Sequence, residues 1–326
     1  MTGSRFRSVF LATLSAVSFF AGRPDAVLAL DAAAVEAPDQ QSSAKYLRYV
    51  EDPAKPRLET SVVRFRNDKG ATVDLIGAVH VGDPAYFAEL NRTFKDYDVV
   101  LYEMVKPKGM NMPKPHAQKP AGEGGGGGDL QMRFIHGMQQ MMQESLDLKY
   151  QLDEIDYSAA NFVHADLDSD TFLEMQRERG ETMFTLMLNA MLKELMNPRE
   201  PSANAPGIMD LIDALSSPNR ARALKMVVAR QFSDMDRSML AMEGSVIIEE
   251  RNHHALKVLK EQLDAGQTKL AIYYGAGHFS SMEKQLVDLM GFKQVGEPRW
   301  ITAWDLSEAG PKPVESEKAP ATQPVH

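Results

Sequence analysis

The sequence predicts an α/β (α+β) chain: a central mixed sheet assembled from an N-terminal and a C-terminal segment, with a large methionine-rich helical insertion between them. Three observations carry this reading. Strand-length apolar runs alternate with amphipathic helical stretches over residues 58–105 and again over 266–306. The chain between them, from about 130 to 243, is strongly helical and punctuated by Pro198, Pro201, Pro206 and Pro218. Both outer segments also contain the same junction, an apolar strand followed by Gly-x-x-His and then a helix: Leu75-Ile-Gly-Ala-Val-His80 and Tyr274-Gly-Ala-Gly-His278.

Residues 1–29 stand apart from the core. Arg5 and Arg7 precede an apolar run from Val9 to Ala21, and Val27-Leu28-Ala29 supplies small residues for cleavage, the pattern of a secretory signal peptide. The run of 13 residues is short of the roughly 20 that span a bilayer. The expectation is an exported protein, periplasmic or secreted, with no stable membrane span after cleavage and an anchor only if the signal is retained. Residues 30–57 are rich in Ala, Asp, Gln, Ser and Pro and read as an exposed lead-in.

The domain then runs over 58–306. Ser61-Val-Val-Arg-Phe-Arg66 alternates at period two, Asn67-Asp-Lys-Gly70 is a turn, and Ala71–Gly77 returns as the second strand of a hairpin. Asp83 and Pro84 read as a helix N-cap and first helical position, and Tyr86, Phe87, Leu90 and Phe94 share one face of a helix over 84–96. Asp98-Val-Val-Leu-Tyr-Glu-Met104 is the next strand, completing a strand–helix–strand unit with a parallel crossover. Residues 106–129, with four prolines and the run Gly124–Gly128, form a flexible loop. Helices follow at 130–147, 170–196, 207–215, 218–242 and 245–264, with a short extended piece at Gln151–Tyr157. The C-terminal part returns to strand 269–274, helix 280–290 begun by a Ser280–Glu283 capping box, and strands 292–296 and 299–304. From Ser307 to His326 the composition is that of a disordered tail.

Charge and cysteine content exclude several classes. The formal charge is −9, and the three arginines and one aspartate of residues 1–29 carry +2, so the cleaved chain carries −11. An acidic surface argues against nucleic acid and anionic membrane as partners. With no cysteine, thiol catalysis, disulfides and thiolate metal sites are excluded, and any metal must be held by nitrogen and oxygen. Of the 20 methionines all but Met1 lie between Met104 and Met290; spacings such as Met183-Met187-Met191 most simply indicate an adaptable apolar helix face, the alternatives being a plastic surface for peptides or partner helices and soft-metal binding.

The candidate chemistry gathers at strand ends. Ligands of open parallel sheets bind beyond the carboxyl ends of the strands, where His80 and Glu103 would both lie. His278 repeats the His80 setting. On helix 245–264 the apolar stripe is Ile247, Ile248, Ala255, Val258 and Leu259, and Arg251 falls inside it with Asn252 on its edge. A buried arginine demands an anionic partner. Arg251 therefore makes a structural salt bridge, orients Glu103, or binds a substrate carboxylate or oxyanion. Gly77 and Gly275 let the backbone turn sharply or approach a ligand closely, and with Asn252 they are the substrate-side candidates. His164 and Asp166, flanking Ala165, show a ligand-like spacing that is common by chance. His253 and His254 lie off the stripe; His116, His136 and His326 lie in or near flexible segments.

These residues support three chemistries: a divalent cation held by His80, Glu103 and His278; metal-free acid–base catalysis with His80 as base; or satisfied structural residues.

Three blocks, in order, resemble the TraB/TIKI/GumN-like family: Leu75–His80 with Asp98–Glu103, then Ile248-Glu-Glu-Arg-Asn252, then Tyr274–His278. The resemblance spans roughly 60–105 and 240–305. That family is similar to erythromycin esterases and haem-binding ChaN-like proteins, and its animal TIKI members are regarded as divalent-metal-dependent proteases of secreted signalling proteins. The resemblance implies His80, Glu103 and His278 as site residues supported by Arg251 and Asn252. The combined expectation is an exported metal-dependent hydrolase of the peptidase kind, with the insertion forming a lid or groove for an extended peptide or protein substrate. The alternatives are a peptide- or haem-sequestering protein without turnover, and a metal-independent esterase.

Overall fold

A long strand with two neighbours on each edge sets the frame. In the computed structural model, which describes residues 45–112, 114–115, 146, 148–181, 185, 208–240 and 245–310, strand β2 (Arg57–Arg66) pairs on one edge with β1 (Leu47–Val50) and β3 (Thr72–Ala78). Its other edge takes the C-terminal strands β9 (Lys293–Gln294) and β10 (Arg299–Asp305). All these pairings are antiparallel. Beyond β3 the sheet becomes parallel: β3 pairs with β8 (Lys269–Gly275), β8 with β5 (Val99–Tyr102), and β5 with β7 (Phe162–His164). The predicted mixed α/β sheet built from both ends of the chain is therefore the observed one, with β1-β2-β3-β8-β5-β7 as its main path. Near-continuous apolar runs are what strands buried on both faces require, and Leu75, Ile76, Val100, Leu101, Leu270, Ala271 and Ile272 are fully buried.

Helix α1 (Pro84–Phe94) buries the four residues its periodicity selects, Tyr86, Phe87, Leu90 and Phe94, each contributing about 1.5–3 kcal/mol. A two-stranded ribbon of β4 (Val81–Gly82) with β6 (Lys149–Tyr150) lies just after His80 and leads into the short helix α2 (Gln151–Glu154). Helices α3 (Ser169–Glu178), α4 (Ile208–Ser216) and α5 (Arg220–Leu240) follow, then a π-helical turn over Val246–Glu250 that runs directly into α6 (Arg251–Asp264). A 3-10 turn over Ala276–His278 joins β8 to α7 (Phe279–Asp288). Among the described residues no helix is long and apolar enough to cross a membrane.

The structure departs from the sequence reading in several places. β1 falls inside the expected lead-in, because Tyr46 and Leu47 are buried against β2. Residues 151–154 are helical, and the extended pieces of the insertion are β6 and β7. Helix α3 ends at Glu178. Asp83 makes no capping bond: its carboxylate accepts from the Asp305 N–H at 2.6 Å and faces Lys225 at 3.4 Å, tying α5 to the sheet. Ser280 and Glu283 do not form a capping box, since α7 continues from the 3-10 turn and Glu283 binds Lys45 and Tyr46. Strands β3 and β5 are parallel as expected but not adjacent, for β8 lies between them. The signal peptide, the Gly124–Gly128 run, nearly all of 130–147, the stretch from 186 to 196, the Met183-Met187-Met191 face, His116, His136, His326 and the tail from 311 lie outside the described residues.

Candidate functional site

The parallel strands β3, β8, β5 and β7 end side by side, and each releases one polar residue at its carboxyl end. His80 follows β3, the Gly275–His278 turn follows β8, Glu103 follows β5, and Asp166 follows β7. Helix α6 crosses them and inserts Arg251, which is only 8% exposed.

Arg251 is heavily engaged. Its Nε and Nη2 donate to the two oxygens of Asp166 at 2.9 and 2.7 Å, Nη2 also donates to Glu103 Oε1 at 2.6 Å, and Nη1 donates to the Ile247 carbonyl at 3.3 Å. Four of the five guanidinium N–H groups are thus engaged inside the protein. Glu103 receives a second donor, the Gly275 N–H, on Oε2 at 2.6 Å. Burial opposes ionisation of Glu103, but Arg251, then His278 and His80, and the Gly275 N–H outweigh it and hold the carboxyl well below the usual carboxylate range. Gly275 is needed here because a Cβ on it would stand 3.3 Å from Glu103 Oε2. Gly77 serves a different end: its missing Cβ would meet the Tyr46 carbonyl at 3.0 Å, so it is a contact of the sheet with the turn before β1, away from the site.

His278 is held by Asn252, the neighbour of Arg251. Asn252 Nδ2 donates to the His278 carbonyl at 3.0 Å, which leaves Asn252 Oδ1 to accept at 2.7 Å from His278 Nδ1. The proton therefore resides on Nδ1, and Nε2 presents its lone pair 3.6 Å from Glu103 Oε1. Burial pushes the imidazole down to about 4, against the pull of Glu103, so it is neutral at pH 7. Tyr274 packs edge-on against the ring at 5.3 Å and donates its hydroxyl to the Ala165 carbonyl. His80 is the exposed member at the mouth, and its carbonyl accepts from the Gln151 N–H at 2.9 Å.

Asn252 is fully buried rather than on the edge of the stripe. The π-helical turn before Arg251 adds a residue to the local repeat, so a 3.6-residue extrapolation from Ile247 misses the true face. His253 is half exposed beside Glu249 and Glu250, as its off-stripe position predicts. The residue undervalued in the sequence is Asp166; the His164-x-Asp166 spacing was its one signal. His164 itself turns to the Met104 carbonyl at 2.6 Å.

Glu103 and Asp166 against Arg251 leave the buried cluster with one net negative charge, and two acceptors, His278 Nε2 and Glu103 Oε1, face each other across it. Acceptors so placed are chemically suited to a cation or to a water that donates to one of them. Among the described residues no three His, Asp or Glu side chains are grouped closely enough to enclose a metal ion. His278 and Glu103 meet, whereas His80 stands off as an accessible donor. No family model, curated protein or solved structure matches this chain.

Proposed function

We propose that this chain is an exported hydrolase of the metal-dependent peptidase kind, with its centre at His80, Glu103 and His278. The supporting observation is His278 Nε2, left bare because Asn252 holds the ring proton on Nδ1, and aimed at a carboxylate that Arg251 and the Gly275 N–H keep ionised. Imidazole nitrogen and carboxylate oxygen are donor types a divalent cation takes, and His278 and Glu103 bring one of each together. When bound, such a cation would polarise a carbonyl and lower the pKa of water toward neutrality. Both oxygens of Glu103 already accept hydrogen bonds, from Arg251 and the Gly275 N–H, so its part is that of a fixed negative charge. Arg251 acts as a positioning residue, because its N–H groups are committed to Asp166, Glu103 and Ile247. His80, exposed at the mouth, is the group that meets substrate and solvent. The likeness of the three sequence blocks to TraB/TIKI/GumN-like proteins supports the same assignment.

The deciding measurement is hydrolysis of a peptide library by the full chain, with divalent cations and with chelator, repeated with His80→Ala and His278→Ala. Cleavage that needs cation and both histidines is expected. Cleavage that survives both substitutions would remove the chemistry from this site, and chelator-resistant activity on small esters would favour metal-free catalysis with His80 as base.

A further inference from the structure

Near the strand ends, on the side of the sheet that packs against α1, lie buried polar atoms without partners. Gln151, Tyr157 and Tyr273 are 6%, 5% and 1% exposed. Gln151 Nε2 donates to the Tyr157 hydroxyl at 2.6 Å, yet Gln151 Oε1 and the Tyr273 hydroxyl have no hydrogen-bond partner among the described residues. Leaving such an atom buried and unpaired costs about 1–3 kcal/mol. The nearby Tyr86 hydroxyl does not supply the need, being engaged with Thr60 and the Gly77 carbonyl.

The two tyrosines belong to one cluster of rings. Tyr157 lies 5.0 Å from Tyr102 and 5.8 Å from Phe162; Phe162 lies 5.2 Å from Phe94, and Phe94 lies 4.8 Å from Tyr273. With Gln151 they also adjoin the site through the backbone. The Gln151 N–H holds the His80 carbonyl, the Tyr273 carbonyl accepts from the Glu103 N–H at 3.2 Å, and Tyr102, under the Tyr157 ring, immediately precedes Glu103.

We infer that Gln151, Tyr157 and Tyr273 form a recognition pocket for an uncharged hydroxyl or carboxamide group of the substrate, such as a serine, threonine, asparagine or glutamine side chain. The chemistry sets that class. Gln151 Oε1 needs a donor, and the tyrosine hydroxyls can donate in return, so the occupant must do both. An anionic group would meet the net negative charge of Glu103, Asp166 and Arg251, and the tyrosines, held neutral by burial, offer a cationic one no partner of their own. Calling the occupant a substrate group rests on the hydrolase reading; the pocket itself does not.

The test is ligand-observed NMR titration of the full chain with two pairs of probes: N-acetyl-glutaminamide against N-acetyl-methioninamide, and N-acetyl-serinamide against N-acetyl-alaninamide. Wild type should bind the polar member of at least one pair about tenfold more tightly. Tyr273→Phe and Gln151→Met should reduce that preference to near unity. Both substitutions conserve shape, and thermal melting verifies folding. Equal binding within both pairs would overturn the pocket, as would a preference that persists in Tyr273→Phe. A lower melting temperature for Tyr273→Phe without any probe preference would assign these atoms to an internal water and also overturn it. Polar preference without cleavage of any peptide would keep the pocket and remove the hydrolase reading.

Discussion

Asn252 grips His278 at two points, giving a hydrogen bond to its carbonyl and taking one from its ring. The amide thereby dictates which imidazole nitrogen is bare. Asn252→Leu would release the ring and leave the His278 carbonyl unpaired. Activity is expected to fall about 10- to 100-fold, with the circular dichroism spectrum retained. Asn252→Asp would set a carboxylate against Nδ1 and raise the His278 pKa from about 4, visible as an upward shift of its ring-proton titration by NMR.

Stability should fall with acid in a window set by the same ring. His278 titrates near 4 in the folded state and near 6.5 when unfolded. The unfolded chain therefore binds the extra proton first, and folding stability is lost as pH drops from about 6.5 to 4, by on the order of 3 kcal/mol. Denaturant melts across this range would show the slope in wild type and its flattening in His278→Ala. A flat wild-type profile would contradict a neutral buried His278.

Arg251→Met removes the counter-charge of two carboxylates at once. The expected cost is about 3–5 kcal/mol, because Glu103 and Asp166 are left buried and unpaired. Asp166→Asn should cost less, since Arg251 keeps Glu103, and should lower kcat more than it raises KM. Equilibrium unfolding alongside steady-state kinetics separates the two effects.

The two motif glycines should fail in different ways. In Gly275→Ala the new methyl presses on Glu103 Oε2, so activity should drop while the fold persists. In Gly77→Ala it presses on backbone at the Tyr46 carbonyl, which cannot yield cheaply, and stability should fall by about 1–3 kcal/mol. Activity per folded molecule should then be preserved. Measuring melting temperature and specific activity for both variants checks the contrast.

Elemental analysis of the purified chain should find a divalent cation that is reduced to background in His80→Ala and His278→Ala. Equal metal content in all three would place the ion elsewhere.

Local pattern made much of this legible. The β2–β3 hairpin, the α1 face and the C-terminal β8–α7–β9–β10 order all follow from periodicity and turn residues, as do the positions of His80, Glu103, Arg251 and His278 at the sheet end. What escaped was non-local or too short. β7 is the three residues Phe162–His164, whose pairing partner is remote in sequence, and without β7 nothing points Asp166 at Arg251. β1 carries Arg48 on a half-buried edge and reads as polar. The π-helical turn has no apolar signature, yet it rotates Asn252 into the core.

The place of β8 has a consequence in time. His80 and Glu103 ride on strands that do not touch; the strand that joins them is made more than half a chain later. As the chain emerges from the ribosome, β3 and β5 must wait with facing edges unfilled, and the long-range pairing that completes them forms slowly. Glu103 meets the Gly275 N–H, and His278 its neighbours, only when β8 slots in. The buried cluster is thus incomplete until β8 has been made and has paired.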